Sequence, residues 1–206
     1  MKLRFSPTSP FVRKVRVALI ETGLAPAVGL IQENPLDPRA MQASPNPLAK
    51  VPCLETDDGM VLYDSPVIVE YLNARLDPPT LIPPAGRAHW DALRRQALAD
   101  GMMDALVLWF VESLRKPERQ SGGWMAHQLR AVGRALDALE AEADGLGGPV
   151  DIGRIAIAVA ISFYDTNHPD SLWRAARPRL AAWFDAFDRR PSMRETVLVH
   201  PRDYRG

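Results

Sequence analysis

The sequence predicts an α/β domain followed by a larger all-α domain. Three observations predict it. Residues 1–76 alternate strand and helix signals, in the order β-α-β-α-β-β-α. Residues 77–86, DPPTLIPPAG, read as a Pro-rich linker. Residues 87–206 carry only helical periodicity.

Each element has its own reason. KLRF, from Lys2 to Phe5, is a short strand candidate that ends at Ser6-Pro7. Ser9-Pro10 opens a helix, with Ser at the N-cap and Pro at the first helical position. Val12, Val15 and Leu19 mark its apolar face, and Gly23 stops it after Glu21. AVGLIQE, residues 27–33, is a second strand, and the strand-helix-strand unit favours parallel pairing. Residues 34–50 are rich in Pro and Asn, hence mostly loop, with one short helix near Pro38 to Ala43. VPCLET, DDG and MVLY then spell strand, tight turn and strand, an antiparallel hairpin on the sheet edge. DSPVIVEYLNARL is a helix opened by Ser65 at the N-cap and Pro66.

Beyond the linker, Trp90, Leu93, Ala97 and Leu98 fall at helical spacing in a segment from Arg87 to Lys116, stopped by Pro117. A further helix is expected from Pro117 or Glu118 to Asp144, stopped by Gly145, Gly147 and Gly148. Asp151 caps an almost wholly apolar helix, Ile152 to Tyr164, which must be buried because it lacks a polar face. Residues 177–193 give a last amphipathic helix that ends before Pro191. Trp90, Trp109, Trp124, Trp173 and Trp183 sit in helical stripes, and most are expected in the core.

Composition narrows the function classes. The 206 residues hold 25 basic and 25 acidic side chains, a balance that argues against a nucleic-acid binder or a polybasic membrane-surface protein. One cysteine, Cys53, excludes an intrachain disulfide and fits a reducing compartment. MKLRFSPTSP has no long apolar region, and no apolar run approaches a membrane span, so a cytoplasmic protein is expected. His89, His127, His168 and His200 are scattered without metal-ligand spacing, and no metal is expected.

Three places could carry chemistry. In AKVPCLE, a Pro opens a strand whose ladder it cannot join. A cis Val51-Pro52 bond would expose the backbone of Val51 for strand-like pairing with a peptide-like ligand. An ordinary trans Pro at a strand start is the bland alternative. In YDSPVIVE, Ser65-Pro66 presents free N–H groups suited to a carboxylate, or simply caps a helix. At Ser9, a hydroxyl at a helix start lies near Arg13, Lys14 and Arg16, although a helix N-terminus disfavours cations. Ser9 could donate to a bound thiolate, whose pKa such surroundings lower. Otherwise the Ser caps and the cations are solvated.

Together, TSPFVRKV, NPLAKVPCL and DSPVIVEYL, followed by the Pro-rich linker and helices, resemble the glutathione S-transferase family along the whole chain. The resemblance implies a thioredoxin-like domain at 1–76, a linker at 77–86 and an all-helical domain at 87–206. It implies reduced glutathione as co-substrate. Ser9 takes the position facing the glutathione sulfur, as in a bacterial branch of the family, with Thr8 a second hydroxyl close by. Val51, with Pro52 cis, pairs with the cysteinyl part. Asp64 meets the γ-glutamyl amine and Ser65 its carboxylate. Lys50 and Arg13 are weaker candidates for the glycyl carboxylate. Met102, Trp109 and the C-terminal VLVHPRDYRG are possible walls of a site for a small hydrophobic electrophile. A homodimer active in detoxification is implied. A protein-binding or regulatory member without enzyme activity is the alternative, and Ser at the sulfur position points away from a reductase.

Overall fold

The computed structural model describes residues 1–34, 37–200 and 202–204, apart from the side chains of Pro38, Ala40 and Met41. β1 (Lys2–Phe5) leads into α1 (Pro10–Glu21), then β2 (Gly29–Gln32), the short α2 (Pro38–Ala43), the β3 (Cys53–Glu55) and β4 (Val61–Leu62) hairpin, and α3 (Ser65–Asn73). The sheet order is β2-β1-β3-β4. β1 pairs with β2 in parallel and with β3 antiparallel, so Leu3 aligns with Leu30 on one side and Leu54 on the other. Leu3 and Leu54 are fully buried, as are Val15, Ile68 and Leu72 of α1 and α3. Period-2 and period-3.6 apolar patterns therefore meet in one small core.

The rest is helical, as the periodicity predicts: α4 (Gly86–Ser113), α5 (Gly122–Ala141), α6 (Ile152–Asn167), α7 (Trp173–Ala176), α8 (Pro178–Phe187) and α9 (Pro191–Arg194). α6 is the central post and packs along α4 and α1. Gly153 lets α4 and α6 touch: a Cβ there would lie 2.7 Å from the Ala92 carbonyl oxygen. Residues 74–85 are neither helix nor strand, yet they are stitched down. Asn73 Oδ1 accepts from the N–H groups of Leu81 and Ile82 at 3.0 and 3.1 Å, and Ile152 N donates to Leu81 O at 2.8 Å. Among the described residues no helix is long and apolar enough to cross a membrane.

Several expectations need correction. α4 ends at Ser113 rather than Lys116, and Pro117–Arg119 forms only a single 3₁₀ turn. α5 starts later, because Ser121 is the effective cap: its hydroxyl accepts from Trp124 N at 3.3 Å. Of the five tryptophans only Trp173 is buried; Trp90 is 68% exposed and Trp124 45%. Helical spacing identifies a stripe, not whether a partner covers it. Asp151 does cap α6, accepting from Arg154 N at 2.9 Å. Arg154, unable to form a reciprocal capping box, pairs with the Asp151 carboxylate and donates to the carbonyls of Gly145, Leu146 and Gly147. The local loss expected from a missing box is thus offset by these contacts.

Candidate functional site

The site is built from the ends of elements. Ser9 is the N-cap of α1, and its Oγ accepts from Val12 N at 3.3 Å. A serine hydroxyl has one proton to give, and that contact does not use it. Thr8 differs: its hydroxyl lies 3.0 Å from Ser6 Oγ. The loop before β3 is folded by Asn46, which is 3% exposed. Asn46 Nδ2 donates to Lys50 O at 2.8 Å, and its Oδ1 accepts from Leu48 N at 3.0 Å. Val51-Pro52 is cis. The Val51 N–H and C=O make no hydrogen bond within the described residues, so both are open to a ligand.

At α3 the cap is one residue earlier than expected. Asp64, not Ser65, is the N-cap, and its carboxylate accepts from Ser65 N. Ser65 is fully buried and its Oγ has no hydrogen-bond partner. An orphaned buried hydroxyl costs roughly 1–3 kcal/mol, so its persistence at a helix start points to a ligand group.

A cavity of about 120 Å³ opens between these elements. It is lined by Phe11, Asn46, Leu48, Lys50, Val51, Pro52, Tyr63, Asp64 and Asp104. Lys50, Val51, Pro52 and Asp64 come from two separate segments and meet here. Ser9 and Thr8 are not in its lining, but Phe11, two residues along α1, is. Larger hollows exist: one of about 330 Å³ between α3 and α4, another of about 470 Å³ among arginines of α4 and the start of α6.

Asp104, on α4, has no local signature that would expose it in the sequence. Asp104 keeps an exposed face, yet its partial desolvation pushes the carboxyl above the ordinary range, and the charge of Asp64 pushes the same way. Two carboxylates facing one cavity favour a cationic ligand group. Asn46 and Tyr63 were also unforeseen.

The cations of α1 answer to other partners. Lys14 is fully buried, with Nζ 2.7 Å from both carboxylate oxygens of Asp100. Arg13, expected to face a ligand carboxylate, is 3% exposed and turned into the helical region. Its guanidinium donates to Ser162 Oγ, to Met193 O at 2.9 Å and to Thr196 Oγ1 at 3.4 Å. Burial lowers its pKa to about 10. Arg16 lies over the Phe5 ring, 5.4 Å from its centroid. All three side chains run from α1 towards partners outside the cavity, so none opposes the helix dipole from a solvated face.

The expected electrophile walls fare unevenly. Met102 is 2% exposed, inside the core, and cannot line an open site. Trp109 packs its ring on His168, 4.3 Å between centroids. The C-terminal segment lies against the loop before α1 and against α4: Val199 N donates to Pro7 O at 3.0 Å, and His200 faces Phe110 edge-on. Pro201, Arg205 and Gly206 of that segment lie outside the described residues. Cys53 is fully buried, and burial followed by Glu55 raises its thiol to about 11, so it is no nucleophile at neutral pH. Among the described residues no group of three or more His, Cys, Asp or Glu is placed to hold a metal.

A small mixed sheet carrying a cis-Pro loop and an Asp-capped helix, joined to an all-helical region, is the architecture of the glutathione transferases. The chain matches the family models of the glutathione S-transferase N-terminal domain over residues 8–75 and C-terminal domain over 122–186. It is 34% identical over 199 residues to the uncharacterized GST-like protein YibF of Escherichia coli K12, covering 95% of this chain and 98% of YibF. The chain belongs to the glutathione S-transferase family. A family member from Pseudomonas fluorescens Pf-5 with bound glutathione superposes with a TM-score of 0.90 at 44% identity, over 96% of this chain and 98% of that one. The same family member with bound S-(propanoic acid)-glutathione gives 0.88 at 44% identity, over 97% and 100%.

Proposed function

We propose that this protein is a glutathione transferase that binds reduced glutathione in the cavity at the end of the sheet and stabilises its thiolate for attack on a small hydrophobic electrophile. The observation that carries the reading is the convergence of Lys50, Val51, Pro52 and Asp64 on one cavity, beside the orphaned Ser65 hydroxyl. In this reading the free N–H and C=O of Val51 pair with the cysteinyl residue. The start of α3, with Ser65 Oγ, takes the γ-glutamyl carboxylate. Asp64 and Asp104 take its ammonium, and Lys50 the glycyl carboxylate.

Ser9 is the hydroxyl that donates to the sulfur, as in the Ser-bearing bacterial branch. Its uncommitted proton favours it over Thr8, whose hydroxyl is shared with Ser6. Lowering a thiol by two pKa units corresponds to roughly 2.7 kcal/mol of thiolate stabilisation. The relative that binds S-(propanoic acid)-glutathione supports conjugation at sulfur, because its ligand is a glutathione thioether. The electrophile approaches from the side of Pro7, Phe110 and the C-terminal segment. The protein acts as a cytoplasmic homodimer, with its domains divided at residues 77–86.

Calorimetric titration with reduced glutathione tests the reading. Wild type binds in the micromolar to millimolar range, and Asp64→Ala weakens binding by about tenfold or more. Ser9→Ala leaves affinity largely intact but raises the pKa of the bound thiol, read as thiolate absorbance against pH. An absence of binding by wild type refutes the transferase reading.

A further inference from the structure

Lys14 is the one lysine with no exposure at all, and an unpaired ammonium there would be costly to bury. Its position explains why it is kept. It leaves α1 and grips both oxygens of Asp100 on α4 at 2.7 Å, and so clamps the first helix of one region to the first helix of the other. Asp104 follows Asp100 by four residues, one helical turn along the same face. Asp104 and Asp64 line the same cavity, the first from α4 and the second from the start of α3. The clamp thus sits one turn below the point where the two regions face each other across the cavity. α1 also packs on α3, so the helix that carries Lys14 touches both α4, which bears Asp104, and α3, which Asp64 caps. With Asp100 neutralised by Lys14, and with Lys50 at the rim, Asp64 and Asp104 leave the cavity with one uncompensated negative charge.

We propose that Lys14 is a positioning residue. Through Asp100 it fixes the separation of Asp104 and Asp64, and so sets the site's preference for a ligand carrying an ammonium group. This rests on the glutathione-binding reading above. Lys14 touches no ligand itself. Its effect falls on one end of the ligand only, the α-amino group of the γ-glutamyl residue.

The ligand can be cut to match. N-glutaryl-cysteinylglycine lacks only that amino group and keeps both carboxylates and the thiol. Affinities for it and for reduced glutathione are measured by calorimetry on wild type, on Lys14→Met/Asp100→Leu, which removes the buried charges as a pair, and on Lys14→Arg. Thermal midpoints are recorded for each. Wild type is expected to prefer glutathione by about tenfold or more. The double variant is expected to lose most of that preference, to about threefold or less, while binding the des-amino ligand within about twofold of wild type. Lys14→Arg, which keeps a cation on Asp100, retains part of the preference.

A double variant that keeps the full preference, or that weakens both ligands equally, overturns the inference and leaves the glutathione site standing. Binding of neither ligand by wild type refutes the glutathione reading itself, and the inference falls with it. Should the double variant not fold, Lys14→Gln/Asp100→Asn, which removes both charges and keeps polar groups of similar shape facing each other, is read by the same two affinities.

Discussion

Among the helices that begin with an aspartate cap, α6 and α3 are finished differently. At α6, Asp151 accepts from Arg154 N, and the Arg154 guanidinium returns to the same carboxylate and to three carbonyls of the preceding turn. Both side chains there have partners. At α3, Asp64 accepts from Ser65 N, and the Ser65 hydroxyl behind it is buried with none. The first start is completed by the chain, whereas the second lacks a group that the chain does not supply. The same capping residue therefore serves stability in one place and recognition in the other, and only the surroundings distinguish them.

The contrast can be broken from either side. Asp151→Ala removes the cap and strands a largely buried guanidinium, so a loss of about 2–4 kcal/mol is expected by urea denaturation, with glutathione affinity unchanged. Asp64→Ala is expected to cost only about 1 kcal/mol of stability, the worth of a cap, but to lose ligand affinity as stated above. Ser65→Ala sharpens the comparison most. Deleting an unpartnered buried hydroxyl should leave the free protein as stable as wild type or more stable by up to about 1 kcal/mol, while glutathione binding weakens. A clear loss of stability in the free protein would show that Ser65 already has a partner.

The smallest expected effect lies at the far end of α1. Glu21 is held below the ordinary carboxylate range, chiefly by the hydrogen bonds from Arg190 and further by Ser192. A depressed acid contributes above its unfolded pKa and stops contributing as pH falls through its folded one. The stability difference between wild type and Glu21→Gln should therefore be full near neutral pH and shrink from about pH 5 towards about pH 3. A difference that does not change across that range would remove Glu21 from the acid response.

Much of this was legible in the sequence for local reasons. Strand alternation and the Ser-Pro and Asp-Ser-Pro helix starts are read within a few residues, and they give the sheet, α1 and α3; the residues alone leave Val51-Pro52 open between cis and trans, and Lys50, Val51, Pro52 and Asp64 are singled out together only through the family resemblance. What was not legible depends on distance along the chain. Asp104 is one acid on a long helix until α3 is placed opposite it. Arg13 and Lys14 read as surface charges until acceptors 86 to 183 residues away are folded onto them. Met102 and Trp90 show the same limit in reverse, since the helical pattern alone did not say which stripe is covered. The cap of α3 was misplaced by one residue because Asp and Ser are equally good caps, and only the backbone turn decides between them.

The sockets that receive Arg13 bear on how such chains can recombine. They come from α6, from α9 and from the second residue after α9, so they are spread over the last third of the molecule. A chimera joining residues 1–85 of this chain to the helices of a distant relative inherits a guanidinium and an ammonium whose acceptors stayed behind. A crossover at the linker is tolerated only between parents that share those acceptors. The two regions are separable in sequence pattern, but they must be inherited as a pair.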